Sequence, residues 1–431
     1  MKHLFLLTML LSFFSLSSCT SGKKADHSFI KVNADGQFVR DGKPYYFVGT
    51  NFWYGAILGS QGHGGNRERL HQELDFLKSI GIENLRVLVG ADGQDGVKTR
   101  VEPALQTAPG VYNDTILDGL DYFMNELHKR DMTAVLYLNN SWEWSGGYSV
   151  YLQWTGHGDA VVPAVDGWPA YMEYVKQYAQ SDSAQALFAN HVEYIVSRTN
   201  RYNQLKYVDD PTIMSWQIGN EPRAFADENK EAFAGWMARA AAQIKSLDPN
   251  HMVSSGSEGS WGCENDLALF ERIHADKNID YLNIHIWPYN WSWVKADSLT
   301  ELLPVAKANT KAYIDAHLAV AERCHKPIVL EEFGFPRDGF QFSKEAPTTA
   351  RDEYYRYVFD LIRQDRERGG LFAGCNFWAW GGFANHTPGH VYWERGDDYM
   401  GDPAQEEQGL NSVFATDSTI EIIKEETQKL K

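Results

Sequence analysis

The chain reads as one (β/α)8 barrel of the TIM type, and three observations carry that reading. Strand-like and helix-like segments alternate almost without break over roughly 400 residues, a normal length for a decorated barrel. Eight short apolar runs have strand length, and most are followed by a segment with helical spacing. Finally, no internal repeat, linker or low-complexity stretch asks for a second domain.

The elements follow in order. Tyr46 to Asn51 is the first strand, and Arg67 to Ile80 has helical spacing and stops at Gly81. Between them Gly62-His63-Gly64-Gly65 is a flexible loop, with no helix placed behind it as a phosphate site needs. Asn84 to Val89 is the second strand, Leu117 to Arg130 a helix, and Thr133 to Asn139 the third strand. A long loop rich in Trp and Gly leads to helical segments over Pro169 to Thr199. Ile213 to Gly219 is the fourth strand, followed by a helix over Lys230 to Leu247 that Asp248-Pro249-Asn250 closes. His251 to Ser255 is the fifth, with Ser257-Glu258-Gly259 and a loop behind it. Tyr281 to Ile286 is the sixth, with a helix over Leu299 to Cys324. Ile328 to Glu332 is the seventh, with a helix over Ala350 to Arg368. Phe372 to Trp380 is the eighth, and Thr419 to Leu430 the closing helix.

Two of these strands end on carboxylates. Gly219-Asn220-Glu221-Pro222-Arg223 closes the fourth, and Glu331-Glu332-Phe333-Gly334 closes the seventh, with Glu332 lying 111 positions beyond Glu221. A barrel brings distant strand ends to one face. Two convergent carboxyl groups are what a glycosidase needs: one protonates the leaving oxygen while the other attacks the anomeric carbon. Glu331 and Glu332 are neighbours, so strand periodicity points them to opposite sides and only one can face the mouth. The residues by themselves leave that choice open. Arg86 lies inside an apolar strand, where an unpaired charge is costly. It can hold a carboxylate ionised, or form a salt bridge elsewhere in the barrel.

Composition adds to this. Among 14 Trp and 22 Tyr, three Trp groups follow strand-like runs: Trp142, Trp144 and Trp154; Trp287, Trp291 and Trp293; Trp378, Trp380 and Trp393. That places them in loops, where flat faces suit the C–H surfaces of a pyranose; other indoles pack in cores. The formal charge of -17 speaks against nucleic acid and anionic lipid surfaces as partners. His and Cys have no metal-ligand spacing, so no metal and no cofactor is called for. Cys263, Cys324 and Cys375 read as buried thiols with at most one bridge.

The start of the chain sets a compartment. Lys2-His3 precedes an apolar stretch from Leu4 to Leu16, too short to span a bilayer, and small residues lead to Cys19. Residues 1–18 read as a signal peptide and 19–28 as a polar tether, leaving 29–431 as the catalytic barrel. Leu16-Ser17-Ser18-Cys19 resembles a bacterial lipobox, which implies lipidation at Cys19. The expected location is the bacterial cell envelope, held by the lipid anchor only, with secretion as the alternative.

The ordered motifs resemble glycoside hydrolase family 5, and within it the endo-β-1,4-mannanases of subfamily 7. They are Gly49 to Tyr54, Leu85-Arg86-Val87, Leu138 to Trp142, Gly219 to Arg223, Ser257 to Gly259, His285-Ile286-Trp287, Glu331 to Gly334, Asn376 to Gly382, and a late loop from Gly401 to Gly409. The resemblance implies Glu221 as acid/base and Glu332, directly before Phe-Gly, as nucleophile of a retaining mechanism. Glu331 is then a structural residue, paired with a cation between strand and helix. The resemblance further implies that Arg86 keeps the nucleophile ionised, that Asn220 donates to the sugar 2-hydroxyl and that His285 lies near the sugar. Trp378 becomes the platform under the sugar, and Trp53, Asn140, Trp142 and Arg223 belong to the substrate cleft. The family usually has a Tyr two residues beyond the His, where this chain has Trp287, so either Trp287 or Tyr289 orients the nucleophile. The implied substrate is β-mannan or a manno-oligosaccharide, cut by a monomer. Two alternatives remain: another β-1,4-glycan, or a lipoprotein that only binds glycan.

Overall fold

The computed structural model describes residues 28–430. Cys19 and the apolar leader lie outside the described residues.

Eight parallel strands form the barrel: β1 Phe47–Asn51, β2 Asn84–Leu88, β3 Thr133–Tyr137, β4 Ile213–Gln217, β5 Met252–Ser254, β6 Leu282–Ile286, β7 Ile328–Phe333 and β8 Phe372–Phe377. Hydrogen bonding runs in the order β5-β4-β3-β2-β1-β8-β7-β6. A parallel bridge between Ser254 and Tyr281 joins β5 to the start of β6. All eight strands are buried along their whole length, as parallel strands are when helices cover their outer face.

The outer helices are α1 Arg67–Ser79, α2 Asp114–Lys129, α3 Asp182–Val196, α4 Lys230–Leu247, α5 Leu267–His274, α6 Leu303–Cys324, α7 Thr349–Glu367 and α8 Thr419–Leu430. Local chemistry sets several of their starts. Asn66 accepts from Arg69 N at α1, Asn113 from Thr115 N at α2, and Asp266 from Ala268 N and Leu269 N at α5. In α2 the buried Ile116, Leu117, Leu120, Phe123, Met124 and Leu127 recur every three or four residues, the stripe that packs a helix onto a sheet.

The barrel's two ends differ in chemistry. A small sheet of Lys31–Val32, Phe38–Arg40 and Lys43–Pro44 closes the N-terminal end. Its Ile30 and Phe38 pack on the lower strand residues Phe47, Met214, Tyr281 and Val329. The C-terminal end is polar, with Arg86, Gln217, Glu331 and Glu332 all buried there. An apolar plug below and buried charges above leave one end for chemistry.

Two sequence expectations change, and one element was not foreseen. The eighth strand stops at Phe377; Trp380–Gly382 leaves the barrel to pair with Val413–Phe414. The loop expected behind the fifth strand contains α5, which Asp266 caps. The N-terminal sheet is too short to register as periodicity. Cys263, Cys324 and Cys375 are free thiols; the first and last are buried and Cys324 is half-buried.

Candidate active site

Glu221 is delivered by an unusual backbone. Past β4, Asn220 N donates to Asn139 O at 2.8 Å and Glu221 N to Gly256 O at 3.0 Å. Glu221 sits at φ 49°, a left-handed conformation that costs a residue with a side chain roughly 1–3 kcal/mol. Ser141 Oγ clamps its carbonyl at 2.5 Å. Gly256 allows the two loops to meet, since a Cβ there would lie 1.8 Å from Gly219 O.

Glu332 arrives by a different device. The pairing of β6 with β7 slips between Ile284 and His285, so that Ile284 faces Leu330 while His285 faces Glu332. Glu331 is the extra residue of a β-bulge, and a bulge re-aims side chains that strict alternation would send to opposite faces. Both carboxylates therefore reach the interior. Glu331 does face a cation, but inside the barrel, which corrects only the expectation that the pair lies between strand and helix. Its Oε2 accepts from Gln217 Nε2 at 2.6 Å and lies 3.7 Å from Arg86 Nε, with Tyr281 Oη 3.3 Å from Oε1.

Arg86 holds this floor together. Fully buried, it donates from Nη1 to Glu332 Oε1 and to Asn51 Oδ1 at 3.0 Å. Nη2 reaches Asn220 Oδ1 at 2.9 Å and Nε reaches Gln217 Oε1 at 2.8 Å. Of the two uses open to this residue, holding a strand-end carboxylate is the one observed.

Between the carboxyl groups stands His285. Its Nδ1 lies 2.8 Å from Glu221 Oε1 and 3.5 Å from Glu332 Oε2. One oxygen of each glutamate and this nitrogen all lie within 4.8 Å of one another. Burial, reinforced by the guanidinium charges of Arg86 and Arg223, pushes the imidazole well below its ordinary pKa and keeps it neutral. The three groups have the spacing to ligate a cation, but those same two guanidinium charges oppose one.

Burial also raises both carboxyl groups above the ordinary range. Two buried carboxylates this close share a proton rather than ionise together. Arg86 touches Glu332 directly, whereas Arg223 is engaged by Glu258, Nε to Oε2 at 2.6 Å. Direct contact with Arg86 favours the ionised form of Glu332. Trp142 Nε1 donates to Glu221 Oε2 at 2.5 Å, which favours the ionised form and limits the rise.

The walls are aromatic. Trp287 Nε1 donates to Glu332 Oε2 at 3.3 Å, while Tyr289 packs on Phe340 with ring centres 4.8 Å apart, so the indole is the donor to Glu332. Trp378 lines the cleft, edge-on to Trp287 at 5.9 Å. The guanidinium of Arg223 lies 5.0 Å over the Trp142 ring. Together they enclose a cleft of about 430 Å³, within the range of small-ligand sites.

Two expected cleft residues lie behind it. Trp53 is 1% exposed, with Nε1 bonded to Gly401 O at 2.8 Å and its ring against Trp144 and Tyr399. It belongs to the core, where the backbone of the late loop satisfies its indole N–H. Asn140 is buried, accepting at Oδ1 from Asn220 Nδ2 at 3.2 Å and from Trp142 N at 3.0 Å. It positions cleft residues and does not line the cleft itself.

Other cleft residues escaped the sequence reading as individual candidates. Glu258 stands in a quoted motif, and its carboxyl is pushed up to about 8 by burial. Glu406 enters on the late loop, which Asp402 folds by accepting from Gly409 N, Asn411 N and Ser412 N. Trp168 and Trp261 line the cleft as well, and no local signal marks either.

Comparison with known proteins shows the family to which this fold and chain correspond. A family profile described as "GH family 5 beta-mannosidase-like" matches residues 27–431. A glycoside hydrolase family 5 mannosidase from Rhizomucor miehei is 33% identical, with a TM-score of 0.84 over 94% of this chain and 97% of that one. A variant of that enzyme in complex with mannosyl-fructose gives 34% and 0.86, over 93% and 97% of the two chains. Mannan endo-1,4-beta-mannosidase 3 of Arabidopsis thaliana is 28% identical, covering 100% of this chain and 97% of its own.

Proposed function

The chain belongs to the β-mannosidase-like group of glycoside hydrolase family 5, and from that premise we propose that it hydrolyses β-1,4-mannosidic bonds with retention of configuration. The substrates are mannan, galactomannan, glucomannan or their oligosaccharides. One observation carries the mechanism: Glu221 and Glu332 offer oxygens within 4.8 Å of each other, and only Glu332 is touched by Arg86. Retaining enzymes hold their carboxyl groups about 5–5.5 Å apart, and inverting ones roughly 6.5–9.5 Å to admit a water.

In the first step Glu332, held by Arg86 and Trp287, attacks the anomeric carbon while Glu221 gives its proton to the leaving oxygen. In the second, water attacks the glycosyl-enzyme, Glu221 takes the water's proton, and Glu332 departs as carboxylate. Asn220 lines the cleft and its amide spends one hydrogen on Asn140, leaving the other for the sugar 2-hydroxyl. Trp378 is the platform under the sugar at the cleavage site. NMR of the first products on linear mannan tests the whole scheme: β-configured products are expected, and an α anomer appearing first overturns it.

The finer assignments extend this reading. The motifs from Gly219 to Arg223 and the loop from Gly401 to Gly409 support subfamily 7. The segment before Lys23 supports a lipoprotein processed at Cys19 and anchored at a bacterial envelope, carrying a monomeric barrel. Cys19→Ser then releases the protein from the membrane fraction or leaves it unprocessed, with activity on soluble mannan unchanged. Wild type and variant both appearing in the medium with one N-terminus overturns the anchor.

A further inference from the structure

Four side chains hold the Arg86 guanidinium by its edge. Nε donates to Gln217 Oε1, Nη1 to Asn51 Oδ1 and Glu332 Oε1, and Nη2 to Asn220 Oδ1. Those acceptors leave the flat faces of the group to other neighbours. One face lies on Tyr137, whose ring centre is 4.5 Å from the guanidinium carbon. Tyr137 is the last residue of β3, in register with Gln217 on β4, and is fully buried like Arg86 itself. Its hydroxyl makes no hydrogen bond among the described residues. A buried hydroxyl left unpaired costs stability, so what this position gains from a tyrosine is the ring.

An aromatic face carries partial negative charge and attracts a cation, most strongly where water is excluded. It thereby lessens the pull of that cation on a neighbouring carboxylate. The reaction makes this matter. Before attack, the charge of Glu332 balances Arg86; once its oxygen has bonded to the anomeric carbon, Glu332 is an uncharged ester and the balance is lost. A ring that shares the charge of Arg86 makes that loss smaller, so Glu332 attacks more readily and departs less readily. We propose that Tyr137 is a positioning residue of the reaction: it bears one face of Arg86 and, by sharing its charge, sets the balance between Glu332 as nucleophile and Glu332 as leaving group. This rests on Glu332 being the nucleophile.

The test grades the ring while keeping its shape. Wild type is compared with Tyr137→Phe and with three versions of that variant whose ring carries one, two or three fluorines, which drain the negative face step by step. kcat/KM on linear β-1,4-manno-oligosaccharides is followed against pH, and its acid limb reports the ionisation of Glu332. That carboxyl faces Arg86 from β2, Glu221 beyond β4, Glu258 behind β5 and His285 from β6. Glu331 stands beside it on β7 and Glu406 on the late loop, and all six groups are the same throughout the series. Tyr137→Phe is expected to match wild type. Fluorination is expected to tighten the hold of Arg86 on the carboxylate, moving the acid limb to lower pH by about half a unit in all while plateau kcat/KM falls about threefold. An acid limb that stays put along the series, or moves to higher pH, overturns the role of Tyr137 while the parent reading stands. A change already complete in Tyr137→Phe assigns the effect to the hydroxyl and overturns it as well. A wild type inactive on the oligosaccharides overturns the parent reading and this role with it.

Discussion

Glu331→Gln tests the bulge at the heart of the site. Burial pushes the Glu331 carboxyl from 4.5 up to about 7, against the pull of Arg86 and the hydrogen bonds of Gln217 and Tyr281. For a carboxyl group raised in the folded state, the fold binds the proton that the unfolded chain gives up. Stability therefore falls as pH rises from about 4.5 to about 7, and the penalty is complete above that range. At roughly 1.4 kcal/mol per pH unit, the gap is about 3 kcal/mol. Glutamine keeps the shape: its amide oxygen can accept from Gln217 and its NH2 can donate to Tyr281 Oη. It removes only the ionisation. An unfolding entropy of roughly 2.1 cal/mol/K per residue over about 400 residues converts 3 kcal/mol into about 4 °C. Scanning calorimetry at a fixed scan rate from pH 4 to pH 9 reads this out. The two proteins should melt together near pH 4, separate through the window, and differ by about 4 °C at pH 8 with the variant higher. Activity should survive, because Glu332 keeps Arg86. A variant that melts lower at pH 8, a difference independent of pH, or loss of turnover by orders of magnitude would refute the placement of Glu331 as a second, non-reacting carboxyl.

Three sharper probes address the chemistry. Glu332→Ala should lower turnover by several orders of magnitude and be rescued by azide to an α-glycosyl azide, the anion standing in for the missing nucleophile. Glu221→Ala should fail comparably, but azide attacking its glycosyl-enzyme gives the β-azide; exchanged products would reverse the two roles. Trp142→Phe removes a donor that favours ionised Glu221, and a hydrogen bond to a charged group is worth about 1.5 kcal/mol or more. Glu221 then keeps its proton to higher pH, so kcat/KM normalised to its plateau should rise about tenfold on the alkaline limb; an unmoved or acid-shifted limb refutes the contact.

Much of this site was legible from local pattern. Eight apolar runs, helix caps and two carboxylate motifs at strand ends are signals spanning a few residues, and the barrel converts them into one mouth. Trp287 in place of the usual Tyr was visible as a departure, and as a candidate donor, before its contact with Glu332. Trp168 and Trp261 were not legible, since an indole bound for a core and one bound for a cleft look alike in sequence. Trp53 shows the converse: it stands in a cleft motif yet points into the core.

The sequence by itself determined the fold class, the pair of reacting strand ends and the chemistry they suit, because all of these follow from periodicity and residue type. Only the tertiary structure decided the geometry of the two adjacent glutamates. Alternation sends Glu331 and Glu332 to opposite faces, but the slipped register against β6 brings both inward. Register between strands is set by packing across the barrel, among residues far apart in the chain, and no local pattern encodes it. The same holds for the proton. Its place is set by Arg86, from β2, which touches Glu332, and by Arg223, beside Glu221, which Glu258 from behind β5 engages.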